Sequence, residues 1–96
     1  MQPPEMISLK IYVGGRVQGV FYRATAAQRA RELRIRGYAR NLVDGRVEVL
    51  AHGPRAAVET FVAWLWTGST ASKVTSVEAA PLECGADQLP PDFTTG

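Results

Sequence analysis

The chain has 96 residues. Chains divide into several domains only beyond roughly 250 residues, so this one is expected to form one domain with at most one active site. Its apolar content of 46% and charged content of 21% exclude an intrinsically disordered chain, and no apolar run reaches the ~18 residues of a membrane helix. Eleven bases against nine acids give a net charge of +2, which by itself names no partner.

Residues 1–6 read as a flexible tail ahead of a single domain over 7–96. Ile7, Leu9, Ile11 and Val13 then alternate with polar residues, the pattern of a half-buried strand. Gly14-Gly15 breaks it. A helix is predicted from Tyr22 to Arg36, with Ala26, Ala30 and Leu33 as a narrow apolar stripe and Arg29, Arg31, Arg34 and Arg36 facing outward. Gly37 fits the C′ position. Tyr38 to Val43 reads as a second strand and Arg46 to His52 as a third, joined by a two-residue Asp44-Gly45 hairpin turn and therefore antiparallel. Pro54 suits the first position of a second helix, whose core stripe is Val58, Phe61, Val62 and Leu65 and which ends at Gly68-Ser69. Val74 to Ala79 is a fourth strand, and Phe93-Thr94-Thr95 a short fifth at the C-terminus. The order β-α-β-β-α-β is the split βαβ, ferredoxin-like pattern: an α+β sandwich with both helices on one face of an antiparallel sheet. Right-handed crossovers give the strand order 4-1-3-2.

Arginine supplies nine of the eleven bases. Eight arginines and two acids, Glu32 and Asp44, lie between positions 16 and 46, a local balance of +6; from Glu78 onward there are four acids and no bases. Such a block fits an anionic partner or a solvated face. One cysteine, Cys84, excludes an internal disulfide. With no basic, apolar leader at the N-terminus, it points to a reducing, cytoplasmic setting. No metal-ligand spacing is present, and the single histidine, His52, reads as a surface or edge residue.

Three features carry candidate chemistry. Gly15, Arg16, Val17, Gln18, Gly19 and Val20 lie between a strand and a helix start. Their backbone amides could turn inward on one anion at the helix N-terminus, or the segment could be a plain connection. It is neither a Walker A loop nor a dinucleotide fingerprint. Arg23 follows immediately, where a planar guanidinium could fork over two phosphate oxygens. Asn41 closes the second strand; its amide can both donate to and accept from a water, or cap the turn.

Together these residues resemble the acylphosphatase family. Gly15-Arg16-Val17-Gln18-Gly19-Val20-Phe21-Tyr22-Arg23 looks like its first signature, and the run from Gly37 to Glu48, with Asn41 and Asp44-Gly45, like its second. The similarity spans roughly 7–79. It implies hydrolysis of acyl phosphates to carboxylate and inorganic phosphate. Arg23 and the 15–20 loop amides would bind the phosphate and Asn41 would position the attacking water, with no metal, cofactor or covalent intermediate. A monomer is expected, acting on a small molecule, inhibited competitively by phosphate, and binding neither nucleic acid nor membrane. Phosphoryl transfer through a loose transition state depends on positioning and charge stabilisation, so a site without histidine suffices. Phe93-Thr94-Thr95 departs from the family's apolar F-x-I ending by a threonine. Gly14 adds a flexible point beside the loop. The alternative is a non-catalytic ferredoxin-like module binding anions or RNA, and against it the third strand carries no aromatic and has Glu48 at its middle.

Overall fold

The computed structural model describes residues 5–83 and 89–95; Cys84 and residues 1–4 lie outside them. In chain order the elements are β1 (Met6–Arg16), α1 (Tyr22–Glu32), β2 (Arg36–Asn41), β3 (Val47–Pro54), α2 (Arg55–Thr67), β4 (Lys73–Pro81) and β5 (Phe93–Thr95). They form one five-stranded sheet of order β4-β1-β3-β2-β5. The expected 4-1-3-2 core is antiparallel, and β5 joins it parallel to β2. Alternation sorts the two faces. Ile11 and Val13 of β1, Ala39 of β2 and Val47, Val49 and Ala51 of β3 are buried together with Val58, Phe61 and Leu65 of α2 and Ala26, Ala27 and Ala30 of α1. Both helices therefore cover one face, and the other carries Tyr12, Tyr38, Glu48 and Leu50.

The differences from expectation cluster around the loop and the end of α1. β1 does not stop at Gly14-Gly15. A β-bulge between them shifts the register and lets pairing with β4 continue to Arg16 opposite Lys73. Gly15 sits at φ 116°, and a Cβ there would collide with the Lys73 carbonyl and the Thr75 amide, so only glycine fits. Gly15 and Arg16 are accordingly strand residues, and the connecting loop is 17–21. At the other end of β1, Met6 pairs with Pro54, and the Glu5 carboxylate meets the Arg55 guanidinium, so ordered pairing begins before Ile7.

α1 ends four residues before Arg36. Leu33 is its C-cap and Arg34 takes the left-handed C′ position at φ 58°. The Ile35 amide donates to Ala30 O (2.8 Å) and the Arg34 amide to Arg31 O (3.1 Å), the paired bonds of a Schellman motif, with Ile35 buried beyond it. Gly37 thus lies inside β2, where its amide donates to Asp92 O. The early stop starts β2 at Arg36 and ends it at Asn41. The β2–β3 turn is a three-residue loop. Gly45 N donates to Leu42 O (3.2 Å) and Leu42 N to Arg46 O (2.8 Å), with Gly45 left-handed at φ 96°. Pro54, expected as the first helical residue, is instead the N-cap of α2, which begins one position later at Arg55.

The arginines expected to face solvent are partly fasteners. Arg31 Nη2 donates to Phe93 O (2.8 Å) and its guanidinium pairs with Asp92; Arg36 donates to Pro90 O (2.9 Å) and Leu89 O (3.3 Å). Phe93 inserts into the core edge-on to Phe61, with 5.6 Å between centroids. These contacts hold β5 in place despite its threonines.

Candidate active site

The loop 17–21 runs directly into α1. Phe21 is the N-cap and makes no side-chain cap bond, and no acidic residue stands in the first turn. Among the described residues, the amides of Tyr22, Arg23 and Ala24 therefore lack the acceptors a helix start needs. Among the described residues, the amides of Val17, Gln18, Gly19 and Val20 also donate to no backbone carbonyl. Gly19 turns the chain with φ 73°. A run of donor groups at the positive end of a helix dipole is a ready site for an anion. Val17, Gly19, Tyr22, Arg23 and Ala24 of this run line a cleft of about 280 Å³, with Phe21 and Thr95 completing it.

Arg23 is half-buried in that cleft and has no carboxylate partner among the described residues. A cation in the first turn is also opposed by the helix dipole. Neither burial nor charge favours an arginine there until an anion occupies the cleft. Asn41 is exposed at the end of β2 and is not part of the cleft lining. It is tied to the loop indirectly. Gln18 Nε2 donates to Leu42 O (2.8 Å) and to Arg46 O (2.9 Å), clipping the hairpin that carries Asn41 onto the loop. The Gln18 side chain thus braces the site, a use distinct from the anion-facing role its backbone was assigned. The sequence reading missed two further supports. Ser69, buried just past α2, donates its hydroxyl to Val20 O (2.7 Å), and Thr95 of β5 closes one side of the cleft. Of the expected phosphate binders, Val17, Gly19 and Arg23 line the cleft. Val20 anchors the loop's far end, and Gly15 and Arg16 end the strand before it.

Residues 9–94 match the acylphosphatase family model. The chain belongs to the acylphosphatase family. It is 54% identical over 76 residues to an acylphosphatase of Natronomonas pharaonis, covering 79% of this chain and 83% of that one. It is 48% identical over 86 residues to an acylphosphatase of Alkalilimnicola ehrlichii, covering 90% and 93%. A solved acylphosphatase structure from Coxiella burnetii superposes with a TM-score of 0.89 at 30% identity over the full length of both chains. The match to the family extends beyond β4 into β5, further than the two signatures alone.

On the sheet face away from the helices, this acylphosphatase chain carries a satisfied polar cluster. Glu48 is 5% exposed; the Tyr38 hydroxyl donates to its Oε1 (2.8 Å) and Arg40 pairs with the same oxygen (2.7 Å). Burial by itself would raise the Glu48 carboxyl, but the Tyr38 hydrogen bond and the Arg40 and Lys10 charges outweigh it and hold the carboxyl below its ordinary range. Burial first, then the Glu48 contact, pushes Tyr38 up to about 12. Arg46 lies over the Tyr12 ring, 4.7 Å from its centroid, and binds Asp44. The centre of the face where an RNA-binding sheet would stack bases is thus filled by a paired carboxylate, and the non-catalytic alternative is not favoured. His52 sits at the far end of β1 from the loop, its Nδ1 2.6 Å from Ser8 Oγ. Burial and the Arg36 charge lower its pKa. Among the described residues, no group of three or more His, Cys, Asp or Glu could hold a metal ion.

Proposed function

We propose that the chain hydrolyses the carboxyl–phosphate bond of acyl phosphates, with the phosphoryl group in the 17–24 cleft. The supporting observation is the coincidence, around one cleft, of loop and first-turn amides and a half-buried Arg23 that have no partner among the described residues. In this reading the amides and the Arg23 fork cradle the phosphoryl oxygens and stabilise the charge they carry in a loose transition state. The Asn41 amide orients a water in line with the bond to the bridging oxygen. The water oxygen bonds to phosphorus as the bridging oxygen departs with the bond's electron pair. The leaving group is a carboxylate, stable without a proton, so no general acid is required. The water's protons remain with the phosphate product. This accounts for a site whose only histidine lies at the other end of the sheet.

The proposal extends to inorganic phosphate as product and competitive inhibitor, since it presents the same oxygens to the same donors. It also takes the chain as a monomer in a reducing cytoplasm. The single cysteine supports the reducing setting. Release of phosphate from acetyl and benzoyl phosphate by the purified protein tests the function. Turnover is expected to persist in EDTA and to be inhibited competitively by phosphate. Hydrolysis no faster than in buffer would overturn it.

A further inference from the structure

Two successive aromatics at the start of α1 are placed in opposite ways. Tyr22 is 1% exposed; its hydroxyl donates to Leu65 O (2.8 Å), and its ring packs at 5.9 Å from Trp64. Phe21 is 82% exposed, yet it lines the same cleft as Arg23 and Gly19. Its backbone is left-handed, φ 61° and ψ 20°, a region that bulky residues avoid. Thr25 fixes it there, donating to Phe21 O from both its amide (3.0 Å) and its hydroxyl (2.8 Å).

Folding alone does not select phenylalanine here. An asparagine tolerates the left-handed region far better. Phe21 has no such tolerance, and at 82% exposed its ring contributes nothing to the core. Unfavourable backbone geometry held by its surroundings marks a functional position, and an exposed ring on a cleft wall is a binding surface. An acyl phosphate has two unlike ends. The phosphoryl end is drawn to the amides and Arg23. The acyl carbon, one bridging oxygen away, must then lie toward the cleft mouth, where Phe21, exposed Ala24 and exposed Thr95 stand.

We propose that Phe21 is the wall against which the acyl group packs, and that it favours acyl phosphates with a planar, apolar acyl group. This rests on the acyl phosphatase reading of the same cleft. The packing is made equally in the bound substrate and in the transition state, so it lowers KM rather than raising kcat. Aromatic pairing of this kind corresponds to about 3- to 10-fold in binding.

The test compares benzoyl and acetyl phosphate in wild type, Phe21→Asn and Phe21→Trp. Asn tolerates the left-handed backbone, so that variant keeps the fold. Wild type is expected to have the lower KM for benzoyl phosphate. In Phe21→Asn the ratio of the benzoyl to the acetyl KM rises about 3- to 10-fold, any change in kcat is shared by both substrates, and Phe21→Trp retains the preference. A KM ratio in Phe21→Asn within twofold of wild type, with both substrates still turned over, overturns the inference and leaves the function standing. A wild-type protein that hydrolyses neither compound overturns the function and the inference with it.

Discussion

Removing the Gln18 side chain separates the support of the site from the site itself. Gln18→Ala deletes the two hydrogen bonds from Nε2 to Leu42 O and Arg46 O. A neutral hydrogen bond contributes a net of about 0.5–1.5 kcal/mol, and more is lost only where a buried partner is stranded. Neither carbonyl is stranded: Leu42 O still accepts from Gly45 N, and Arg46 O from Leu42 N. The expected loss of stability is therefore modest, about 1–2 kcal/mol in a urea titration or ~5–10 °C in Tm. The expected kinetic loss is larger. Without the clip, the hairpin carrying Asn41 is no longer held in register with the loop, and a displacement of about 1 Å costs on the order of 100-fold in rate. Because the proposed function places phosphate on the loop amides and Arg23, its inhibition constant should change by less than about threefold, equivalent to roughly 0.6 kcal/mol. Gln18→Met, which keeps the bulk without the donor, should behave like Gln18→Ala. The reasoning fails if kcat is unchanged while stability falls, if the phosphate inhibition constant rises as far as kcat drops, or if the methionine variant restores turnover.

The other expectations follow from the same geometry. Arg23→Ala should lower the rate by about 10²–10³ and abolish phosphate inhibition of the residual turnover; a melting curve close to wild type separates this from misfolding. Asn41→Ala should lower kcat by a similar order while leaving the phosphate inhibition constant near wild type. Phe93→Ala vacates a fully buried aromatic position against Phe61 and should cost about 3–5 kcal/mol in chemical denaturation, loosening the Thr95 side of the cleft as well. Glu48 has a lowered folded pKa, so its contribution to stability is complete above the ordinary glutamate value of 4.5 and is lost as the pH falls below it. Melting curves from pH 7 to pH 3 should show wild type losing Tm in that acid window more steeply than Glu48→Gln.

The fold was largely legible because period-2 alternation in β1 and β3 and the i, i+3, i+4, i+7 stripe of α2 report which faces are buried. The boundaries were less so where one residue competes with another for the same geometric job. Gly37 is the obvious helix terminator, but Arg34 takes the left-handed position three residues earlier. A charged residue there carries little local signal. Gly14-Gly15 reads as a break, yet in an edge-paired strand the second glycine admits a bulge, and pairing continues. The loop and Arg23 were visible as a local motif. Their supports were not, because these are long-range contacts: Ser69 reaches Val20 across 49 positions and Arg31 reaches Phe93 across 62. A serine and an arginine in such contacts look like any other until the chain is folded.

The arginine-rich block shows how little a charge count says before the partners are known. Arg31 and Arg36 are committed to β5 and the segment before it, Arg40 to the buried Glu48, Arg46 to Asp44 and the Tyr12 ring, and Arg29 to Glu32. Among the described residues Arg16, Arg23 and Arg34 hold no such tie, and of these Arg23 alone is both half-buried and on the cleft. A polyanion-binding surface needs many uncommitted cations spread along one face. Here most of the positive charge is neutralised or used as a fastener, which leaves one forked cation at a helix start. That arrangement suits a single compact dianion rather than a chain of phosphates. It also makes a distinct demand on salt dependence: binding of inorganic phosphate should weaken only gently with ionic strength, because one partly buried contact is screened far less than a run of exposed ones.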